Sequence, residues 1–394
     1  MSLAKLSRIL SKSIRLNQKF KQLNNLISND RLSCHVRCFS DSIFERQIEE
    51  NPASIIEHAP DLTQLQSRYA VKVKRDPRET SILLFPGEGT QYVGMAENLI
   101  DYPNVPEMFE IASRILGYDL LDVCMGDEAN TLNDCERSQA AIVVSSLAAV
   151  EKLRFDRKNA IENCFATYGY GVGEITSLIF SGALTFEDGI RLVKIRGEAM
   201  KKAASLCPGG QVRILLYAAP KIKLGMRAAK EFLIRKGVYP EYAVCDVSAF
   251  LFPHGKLVGG HVEALDFLKQ NSDDFGIKDI RPVPGSGAFH TKLMRPAAEM
   301  TKEAMKKMSI SKPLIAVHSN YDGRWYRSEE QIRDKLPLQI CSPVKLEQAF
   351  HAIYERPAEM GLPFTFECGP GKSMMDLLSK VNARAQRQGF NINA

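Results

Sequence analysis

Short apolar runs alternate with longer amphipathic stretches along most of this 394-residue chain. The short runs predict strands, and the stretches in which apolar residues recur every three or four positions predict helices. Strands are expected at residues 81–85, around 164–166, and at 212–217, 242–250, 256–259, 277–283, 314–318 and 364–367. Helices are expected over 106–117, 138–154, 175–180, 185–205, 223–236, 262–270 and 346–354, with a last one after residue 371. This alternation predicts an α/β fold.

A glycine-rich turn joins one predicted strand to the helix that follows it. Its pattern, Gly169-x-Gly171-x-Gly173, has the frame of the nucleophile elbow G-x-S-x-G, in which a serine occupies a strained strand-to-helix turn. Glycine takes the place of the serine here, so the turn carries no nucleophile. Tyr170 is expected to point elsewhere, and Ser177 lies about 9 Å further along the helix. Neither side chain is expected to replace the serine.

The order of elements changes between residues 209 and 286. A strand, a helix, two strands, a helix and a strand follow one another, which is the ferredoxin-like arrangement. We therefore predict a ferredoxin-like small subdomain at residues 206–286. It is inserted into a large subdomain formed by residues 79–205 and 287–394, which the elbow frame predicts to be α/β-hydrolase-like.

The N-terminal segment differs in composition from the rest of the chain. Residues 1–40 carry eight Lys or Arg side chains and one acid, with apolar residues at helical spacing. A basic, acid-poor amphipathic segment is typical of a mitochondrial transit peptide. Residues 1–39 are therefore assigned to such a peptide, which implies the mitochondrial matrix; a disordered basic tail is the alternative. Residues 40–78 are expected to form a leader segment before the first strand.

Charge and ligand spacing argue against several classes of function. The net charge of +6 resides in the N-terminal segment and leaves the remainder at −1, so no nucleic-acid partner is expected. The nine cysteines include no C-x-x-C pair, which favours reduced thiols. The seven histidines show no metal-ligand spacing, so no metal is expected. The longest apolar run, residues 140–150, is too short for a membrane span and predicts a buried helix.

Several separated motifs occur together over residues 79–383, and in this region the chain resembles the malonyl-CoA:acyl-carrier-protein transacylases, especially the mitochondrial animal form. The motifs are FPGEGTQ at 85–91, GYGVGE at 169–174, SGALTFED at 181–188, RGEAM at 196–200, SGAFH at 286–290, SPVK at 342–345 and ECGPG at 367–371. The resemblance implies a ping-pong transfer in mitochondrial fatty acid synthesis: an elbow serine takes the malonyl group from CoA and passes it to acyl carrier protein. It implies no cofactor.

The resemblance assigns roles to three side chains. His290 matches the general base that activates the serine, and Gln339 matches the side chain that orients this histidine. Arg196 matches the arginine that binds the malonate carboxylate, a task suited to a planar guanidinium. Each has a structural alternative: His290 as a buried structural histidine, Arg196 as a surface ion-pair residue, and Gln339 as part of a loop surface.

The resemblance also assigns the substrate-binding positions, and three positions of the site depart from the family pattern. The backbone N–H groups of Val172 and Glu88 are the implied oxyanion donors, and Gln91 is assigned to substrate binding in the same loop. Glu88 stands where the family has glutamine, and Ala249 replaces an asparagine usual in the small subdomain. With Gly171 at the nucleophile position, these changes put catalysis in doubt.

Three functions remain open from the sequence. The first is a malonyl-transacylase-like protein that binds CoA or acyl carrier protein but transfers malonyl groups weakly or not at all. The second is an active transacylase that uses another nucleophile or a direct transfer between thiols. The third is a dinucleotide-binding protein, which is disfavoured because Gly169-x-Gly171-x-x-Glu174 lacks the third glycine of the fingerprint.

Overall fold

The computed structural model describes residues 76–126, 129–218, 220–285, 287–356 and 361–393. The predicted transit peptide lies outside the described residues, and so does almost all of the predicted leader segment. Within the part that is described, no helix is long and apolar enough to cross a membrane.

The described strands form two sheets. The strands are β1 (Ser81–Phe85), β2 (Cys164–Gly169), β3 (Gly209–Leu216), β4 (Cys245–Phe252), β5 (Gly255–His261), β6 (Ile277–Pro282), β7 (Ala316–His318), β8 (Phe364–Gly369) and β9 (Gly389–Asn393). The larger sheet has the order β7-β2-β1-β8-β9, and all its strands are parallel. Its strand β1 is buried along its whole length, as expected where helices cover both faces of a parallel sheet. The predicted α/β fold is confirmed.

Helices pack around this parallel sheet to form the larger unit, and two helices join the second sheet to form the smaller unit. They are α1 (Val105–Leu116), α2 (Leu120–Met125), α3 (Ala129–Leu132), α4 (Cys135–Asp156), α5 (Lys158–Glu162), α6 (Gly173–Phe180), α7 (Phe186–Leu206), α8 (Ile222–Arg235), α9 (Val262–Gln270), α10 (Arg295–Met305), α11 (Glu329–Leu338), α12 (Leu346–Tyr354), α13 (Ser373–Val381) and α14 (Ala383–Gln386). Residues 140–150 of α4 are all buried, which confirms the predicted buried helix. Helix α7 begins after Thr185, whose side chain accepts a hydrogen bond from the N–H of Asp188, as the sequence predicts.

The smaller sheet is antiparallel, with the order β4-β5-β3-β6. Together with α8 and α9 it reproduces the predicted succession of four strands and two helices. Several boundaries differ. Strand β3 begins at Gly209 rather than at residue 212. Strand β4 begins at Cys245 rather than at residue 242, because Tyr242 and Ala243 both donate backbone hydrogen bonds to the carbonyl of Tyr239 and form a turn there. The N–H of Phe250 in β4 donates to the carbonyl of Val344, so this strand contacts the chain of the larger unit.

Several elements of the larger unit are absent from the sequence prediction, among them the short helices α2, α3, α5 and α14. Helices α10 and α11 are absent from it as well. Between the strands predicted at 277–283 and 364–367, the sequence analysis places a strand at 314–318 and a single helix at 346–354. Strand β9 follows the predicted last helix and pairs with β8 at the edge of the sheet. Its sequence GFNIN contains two asparagines and a glycine, residue types that are depleted in strands, so its apolar pattern is too weak to identify.

Candidate active site

The glycine-rich turn lies between β2 and α6, at the carboxyl end of the parallel sheet. Gly171 has a φ of +57°, a left-handed conformation that side chains rarely adopt. The flanking glycines are required by close packing: a Cβ on Gly169 would lie 1.8 Å from the carbonyl oxygen of Gly173, and one on Gly173 would lie 2.6 Å from that of Phe85. The backbone therefore has the tight turn that an elbow needs.

His290 faces this turn. A Cβ placed on Gly171 would lie 3.7 Å from the Nε2 atom of His290, with no other atom of the described residues within 4 Å besides its chain neighbours. The Nδ1 atom of His290 is 2.6 Å from the backbone oxygen of Gln339, so Nδ1–H donates to that carbonyl and Nε2 presents its lone pair to the turn. Burial, with a further contribution from the charge of Arg196, lowers the pKa of His290 to about 4. The imidazole is neutral at pH 7.

The contact with His290 corrects one predicted detail. The resemblance assigns its orientation to the side chain of Gln339, whereas the backbone carbonyl of this residue accepts the hydrogen bond. The backbone N–H of His290 in turn donates to the carbonyl of Ile340. Two backbone contacts therefore fix the imidazole, because residues 339–341 form a 3-10 turn that presents its carbonyls to the loop before α10.

Arg196 lies on α7 and is buried, with 3% of its surface exposed. Its Nη1 donates to the amide oxygen of Gln139 at 2.5 Å and its Nη2 to that of Gln339 at 3.1 Å. Both acceptors are neutral, and no ion pair joins Arg196 to a carboxylate of the described residues. Burial lowers its pKa, although the charges of Glu88 and Glu174 oppose this shift. A buried guanidinium without a paired carboxylate favours binding of an anion.

Glu88 lies on the loop after β1, near this guanidinium. Its Oε2 is 3.4 Å from the amide nitrogen of Gln139 and 3.7 Å from the sulfur of Cys135. Burial raises the pKa of Glu88 to about 7, against the opposing effect of the positive charge on Arg196. Near neutral pH the side chain is therefore divided between its protonated form and a carboxylate.

The side chain of Gln339 links the parts of the site. Its Nε2 donates to the carbonyl of Gly171 at 2.8 Å and to Oε2 of Glu174 at 3.1 Å, while its Oε1 accepts from Arg196. The hydroxyl of Tyr326 donates to the other oxygen of Glu174 at 2.6 Å. Burial raises the pKa of Glu174 to about 7. Gln339 thus contacts the elbow, the guanidinium and, through its backbone, the histidine.

Two residues of this network are not among the predicted site residues. Glu174 belongs to the elbow motif, but the sequence gives it no role because its partners lie in the turn after β7 and just beyond α11. Asn320 follows β7; its Nδ2 donates to the carbonyl of Gly169 at 2.6 Å and its Oδ1 accepts from the N–H of Gly171 at 2.8 Å. The available signal for Asn320 is a polar residue just after a strand of a parallel sheet, where ligand sites of α/β proteins gather.

The two side chains considered as replacement nucleophiles are placed differently. Ser177 is fully buried, and its hydroxyl lies 3.2 Å from that of Thr167 in the core. Tyr170 was expected to point away from the site, and this is wrong: its ring packs edge to face against the imidazole of His290, with 6.2 Å between centroids. The left-handed turn at the next residue allows this arrangement. Burial raises the pKa of Tyr170 well above its usual value, so its phenol stays protonated.

The remaining predicted residues occupy the rim of the site. Val172 precedes α6, where backbone N–H groups have no acceptor within the helix. The side chain of Gln91 accepts a hydrogen bond from the N–H of Gly89 and donates to Asn133; it therefore supports the loop, and its contact with a substrate stays a prediction. Ala249 is buried in β4, beside Val344.

A cleft of about 640 Å³ opens beside the turn. Its lining includes Glu88 and Tyr170 from the larger sheet's loops and Arg213 and Arg281 from the smaller sheet, with Lys380 of α13. Within the described residues, no group of three or more His, Cys, Asp or Glu side chains is placed to hold a metal ion. The seven described cysteines form no disulfide.

Comparison with known proteins gives a consistent assignment. Residues 82–230 match a family model described as the acyl transferase domain. The chain is 44% identical over 319 residues to a probable mitochondrial malonyl-CoA-acyl carrier protein transacylase of Drosophila melanogaster, covering 81% of this chain and 84% of that protein. It is 43% identical over 320 residues to the mitochondrial malonyl-CoA-acyl carrier protein transacylase of Homo sapiens, covering 81% and 82%.

Solved structures agree in fold. The malonyl-CoA:acyl carrier protein transacylase of Xanthomonas oryzae matches with a TM-score of 0.69 at 27% identity, over 80% of this chain and 95% of that one. A malonyl-transacylase in complex with its type II PKS acyl-carrier protein matches with a TM-score of 0.68 at 26% identity, over 77% and 94%. These similarities argue against the hypothesis that the chain is a dinucleotide-binding protein. At this identity and coverage the relatives show that the chain belongs to the malonyl-CoA:acyl-carrier-protein transacylase family.

Proposed function

We propose that this chain binds malonyl-CoA and acyl carrier protein at the cleft but forms no malonyl-enzyme intermediate. The observation that carries this proposal is Gly171: the elbow turn and its histidine are in place, and the residue between them has no side chain. In serine hydrolases, loss of the nucleophile lowers turnover on the order of a million-fold. The chain is therefore a transacylase homologue that binds its ligands but does not transfer the acyl group.

Arg196 is the proposed binding site for the malonyl carboxylate. Its guanidinium is buried, and the amides of Gln139 and Gln339 fix its orientation. A carboxylate can accept two parallel hydrogen bonds from such a group. When Glu88 is ionised, it places a second negative charge near this position and weakens binding. The N–H groups of Val172 and Glu88 are the proposed donors to the thioester oxygen.

The cleft is the proposed path of the phosphopantetheine arm that CoA and acyl carrier protein share. Its lining carries the basic residues Arg213, Arg281 and Lys380 as well as the acids Asp279 and Asp376, and Arg281 is paired with Asp279. Arg213 and Lys380 are therefore the proposed partners of the phosphate groups of such a carrier. The neighbour in complex with an acyl-carrier protein and the mitochondrial names of the fly and human relatives support acyl carrier protein as the partner and the mitochondrial matrix as the compartment. Residues 1–39 are the proposed transit peptide.

We assign the finer architecture on the same basis. The order β4-β5-β3-β6 with two helices supports a ferredoxin-like small subdomain at residues 206–286. The parallel sheet with its elbow between β2 and α6 supports an α/β-hydrolase-like large subdomain at residues 79–205 and 287–394. Residues 40–78 are the proposed leader segment.

The experiment is a covalent-labelling assay on the purified full chain. Incubation with malonyl-CoA labelled in the malonyl group is expected to leave the protein unlabelled after denaturation, because Gly171, which lies opposite His290, has no hydroxyl. The variant Gly171→Ser is expected to acquire the label, since the base, the guanidinium and the backbone donors are present. A stable malonyl adduct on any residue of the unaltered chain would refute the proposal and favour a transacylase with another nucleophile.

A further inference from the structure

We propose that this site hydrolyses malonyl thioesters by direct attack of a water molecule held between Gly171 and the Nε2 atom of His290. The inference rests on the proposed binding of malonyl-CoA. It adds an activity in which water replaces the serine hydroxyl of the family, so that the acyl group goes to water instead of to a second carrier.

The space beside Gly171 is open towards the imidazole of His290. Among the described residues other than its chain neighbours, a Cβ on this glycine would contact one atom, the Nε2 of His290 at 3.7 Å. A serine side chain would reach further into the same space, so its hydroxyl position can be occupied by a water oxygen. Ordered waters require polar partners, and the lone pair of Nε2 is one that faces this position.

His290 is in the correct state to act as a base. Its Nδ1 proton is held by the backbone oxygen of Gln339 at 2.6 Å, which leaves Nε2 unprotonated and directed at the water. Burial and the charge of Arg196 lower the pKa of His290 to about 4, so the imidazole is neutral at pH 7 but is a weaker base than a free histidine. The carbonyl contact stabilises the imidazolium that forms during the reaction.

The thioester would be held against this water from two sides. Arg196 fixes the malonate carboxylate, and the amides of Val172 and Glu88 flank the elbow as donors to the developing oxyanion. The loop carrying Glu88 packs directly on the turn, because a Cβ on Gly87 would lie 2.4 Å from the carbonyl oxygen of Tyr170. In serine hydrolases that lack triad residues, such donors and substrate binding leave a rate about 10³- to 10⁴-fold above water.

The reaction balances without a further reagent. The water oxygen bonds to the thioester carbon while one of its protons passes to Nε2 of His290. The carbon–sulfur bond then breaks, and the imidazolium returns the proton to the departing thiolate. The second proton of the water stays on the new carboxyl group, which releases it to solvent at neutral pH. The products are malonate, the thiol of CoA and one proton. Water is favoured over a second thiol as the acceptor because another pantetheine arm would have to share the cleft with the first.

The first test measures release of the CoA thiol from malonyl-CoA by the purified full chain in water enriched in ¹⁸O. We expect thiol release above the buffer rate, with one ¹⁸O atom in each malonate. His290→Asn is expected to lower the enzymatic rate by about 10²-fold or more; asparagine tolerates the φ of +58° at this position. The matched control is His351→Asn, an exposed histidine of α12, which should leave the rate unchanged.

The second test uses two variants with the same added carbon. Gly171→Ala and Gly171→Ser both carry a Cβ in the left-handed conformation, so both bear the same backbone strain. The methyl group of Gly171→Ala displaces the water and should lower hydrolysis at least tenfold without covalent label. Gly171→Ser should form a covalent malonyl adduct instead. An undiminished rate in Gly171→Ala or in His290→Asn would overturn the inference. Formation of acetyl-CoA would also overturn it, because that product would show that the site removes the malonate carboxylate instead of cleaving the thioester.

One measurement separates failure of this inference from failure of the proposed function. An analogue of malonyl-CoA in which a methylene group replaces the thioester sulfur can bind but cannot be hydrolysed. If this analogue binds to the unaltered chain and thiol release equals the buffer rate, hydrolysis is refuted and the binding function stands. If the analogue does not bind, the proposed function itself is refuted.

Discussion

The glycine-rich elbow and the hydrogen-bond network around Gln339 differ in the functional groups that they contain. The network around Gln339 is complete: its side chain contacts Arg196, Glu174 and the elbow carbonyl, and its backbone holds His290. The elbow has the required backbone geometry but no reactive atom. The groups proposed to bind and orient a malonyl thioester therefore lie on other residues than the position of the attacking group.

A physical reason explains why the elbow keeps its geometry without its nucleophile. A serine in a left-handed turn carries strain of about 1–3 kcal/mol, and glycine adopts the same backbone without this strain. The amide and carbonyl contacts of Asn320 to the turn hold it whether or not a side chain is present. We therefore expect glycine in place of a serine at this position to alter the chemistry far more than the fold.

The largest expected effect tests whether the network is a binding site. Arg196→Gln should weaken binding of the methylene analogue of malonyl-CoA by about 10²- to 10³-fold, because a charge-assisted bidentate contact is lost. Calorimetry on the full chain measures the change. The matched control is Arg191→Gln, an exposed residue on the same helix that pairs with Asp188 at the surface, and it should bind normally. Equal loss in both variants would show that the helix, rather than the guanidinium, is responsible.

Glu174→Gln is expected to have the next largest effect. Oε2 of Glu174 accepts from the amide nitrogen of Gln339, and a glutamine that keeps its oxygen towards Tyr326 would place a donor there instead. The amide of Gln339 would then turn and withdraw its oxygen from Arg196. Affinity for the malonyl analogue should fall roughly 10- to 30-fold, in line with a buried polar group left unpaired.

The readout that identifies Glu174 as a positioning residue is the comparison with CoA itself. CoA lacks the malonate carboxylate, so its affinity should be unchanged in Glu174→Gln. An equal loss for CoA and for the malonyl analogue would indicate a general disturbance of the cleft. That outcome would contradict the role assigned to the network.

The fold was predicted well where the hydrophobic pattern is strong. Strands β1, β2 and β8 and helices α4 and α7 carry long or wholly apolar faces, so their periodicity identifies them. Strand β9 and helix α10 were missed. Edge strand β9 is only partly buried, and tertiary pairing with β8 stabilises a sequence of weak strand propensity.

The site was predicted residue by residue only where motifs carried the resemblance. Gly171, His290 and Arg196 lie around one site, as expected. The network through Glu174, Asn320 and the backbone of residue 339 was not predictable, because its contacts to the elbow join parts of the chain separated by more than 140 residues. Hydrogen-bond partners of this kind follow from tertiary packing, which leaves no periodic signal in the sequence.

Glu88→Gln should strengthen binding, and its effect should depend on pH. The pKa of Glu88 is raised to about 7, so its carboxylate is mostly neutral at pH 6 and mostly ionised at pH 8. Affinity of the unaltered chain for the malonyl analogue should therefore fall as pH rises through 7. Glutamine removes this charge and should increase affinity about tenfold at pH 8 and much less at pH 6.

Glu174 also has its pKa raised to about 7, so it contributes to the pH dependence of the unaltered chain. Affinity for the malonyl analogue is therefore measured against pH for the unaltered chain and for Glu88→Gln. The difference between the two curves gives the contribution of Glu88 to the pH dependence. The control is Glu97→Gln, an exposed acid nearby in the chain, which should leave both affinity and pH dependence as they were. A constant ratio of affinities from pH 6 to 8 would contradict the assigned titration of Glu88.

The smallest effect concerns the backbone of the elbow itself. Gly171→Ala should lower the free energy of unfolding by about 1 kcal/mol, because the added Cβ meets open space but forces a side chain into a φ of +57°. Urea denaturation measures this change. The control is Gly210→Ala in β3, where no left-handed φ is required and the Cβ would make an ordinary contact with Leu265 at 3.7 Å; it should be neutral or stabilising. Equal stability of the unaltered chain and Gly171→Ala would mean that the turn can relax. The elbow would then owe its geometry to Gly171 alone, and the comparison between a preserved backbone and a lost nucleophile would no longer hold.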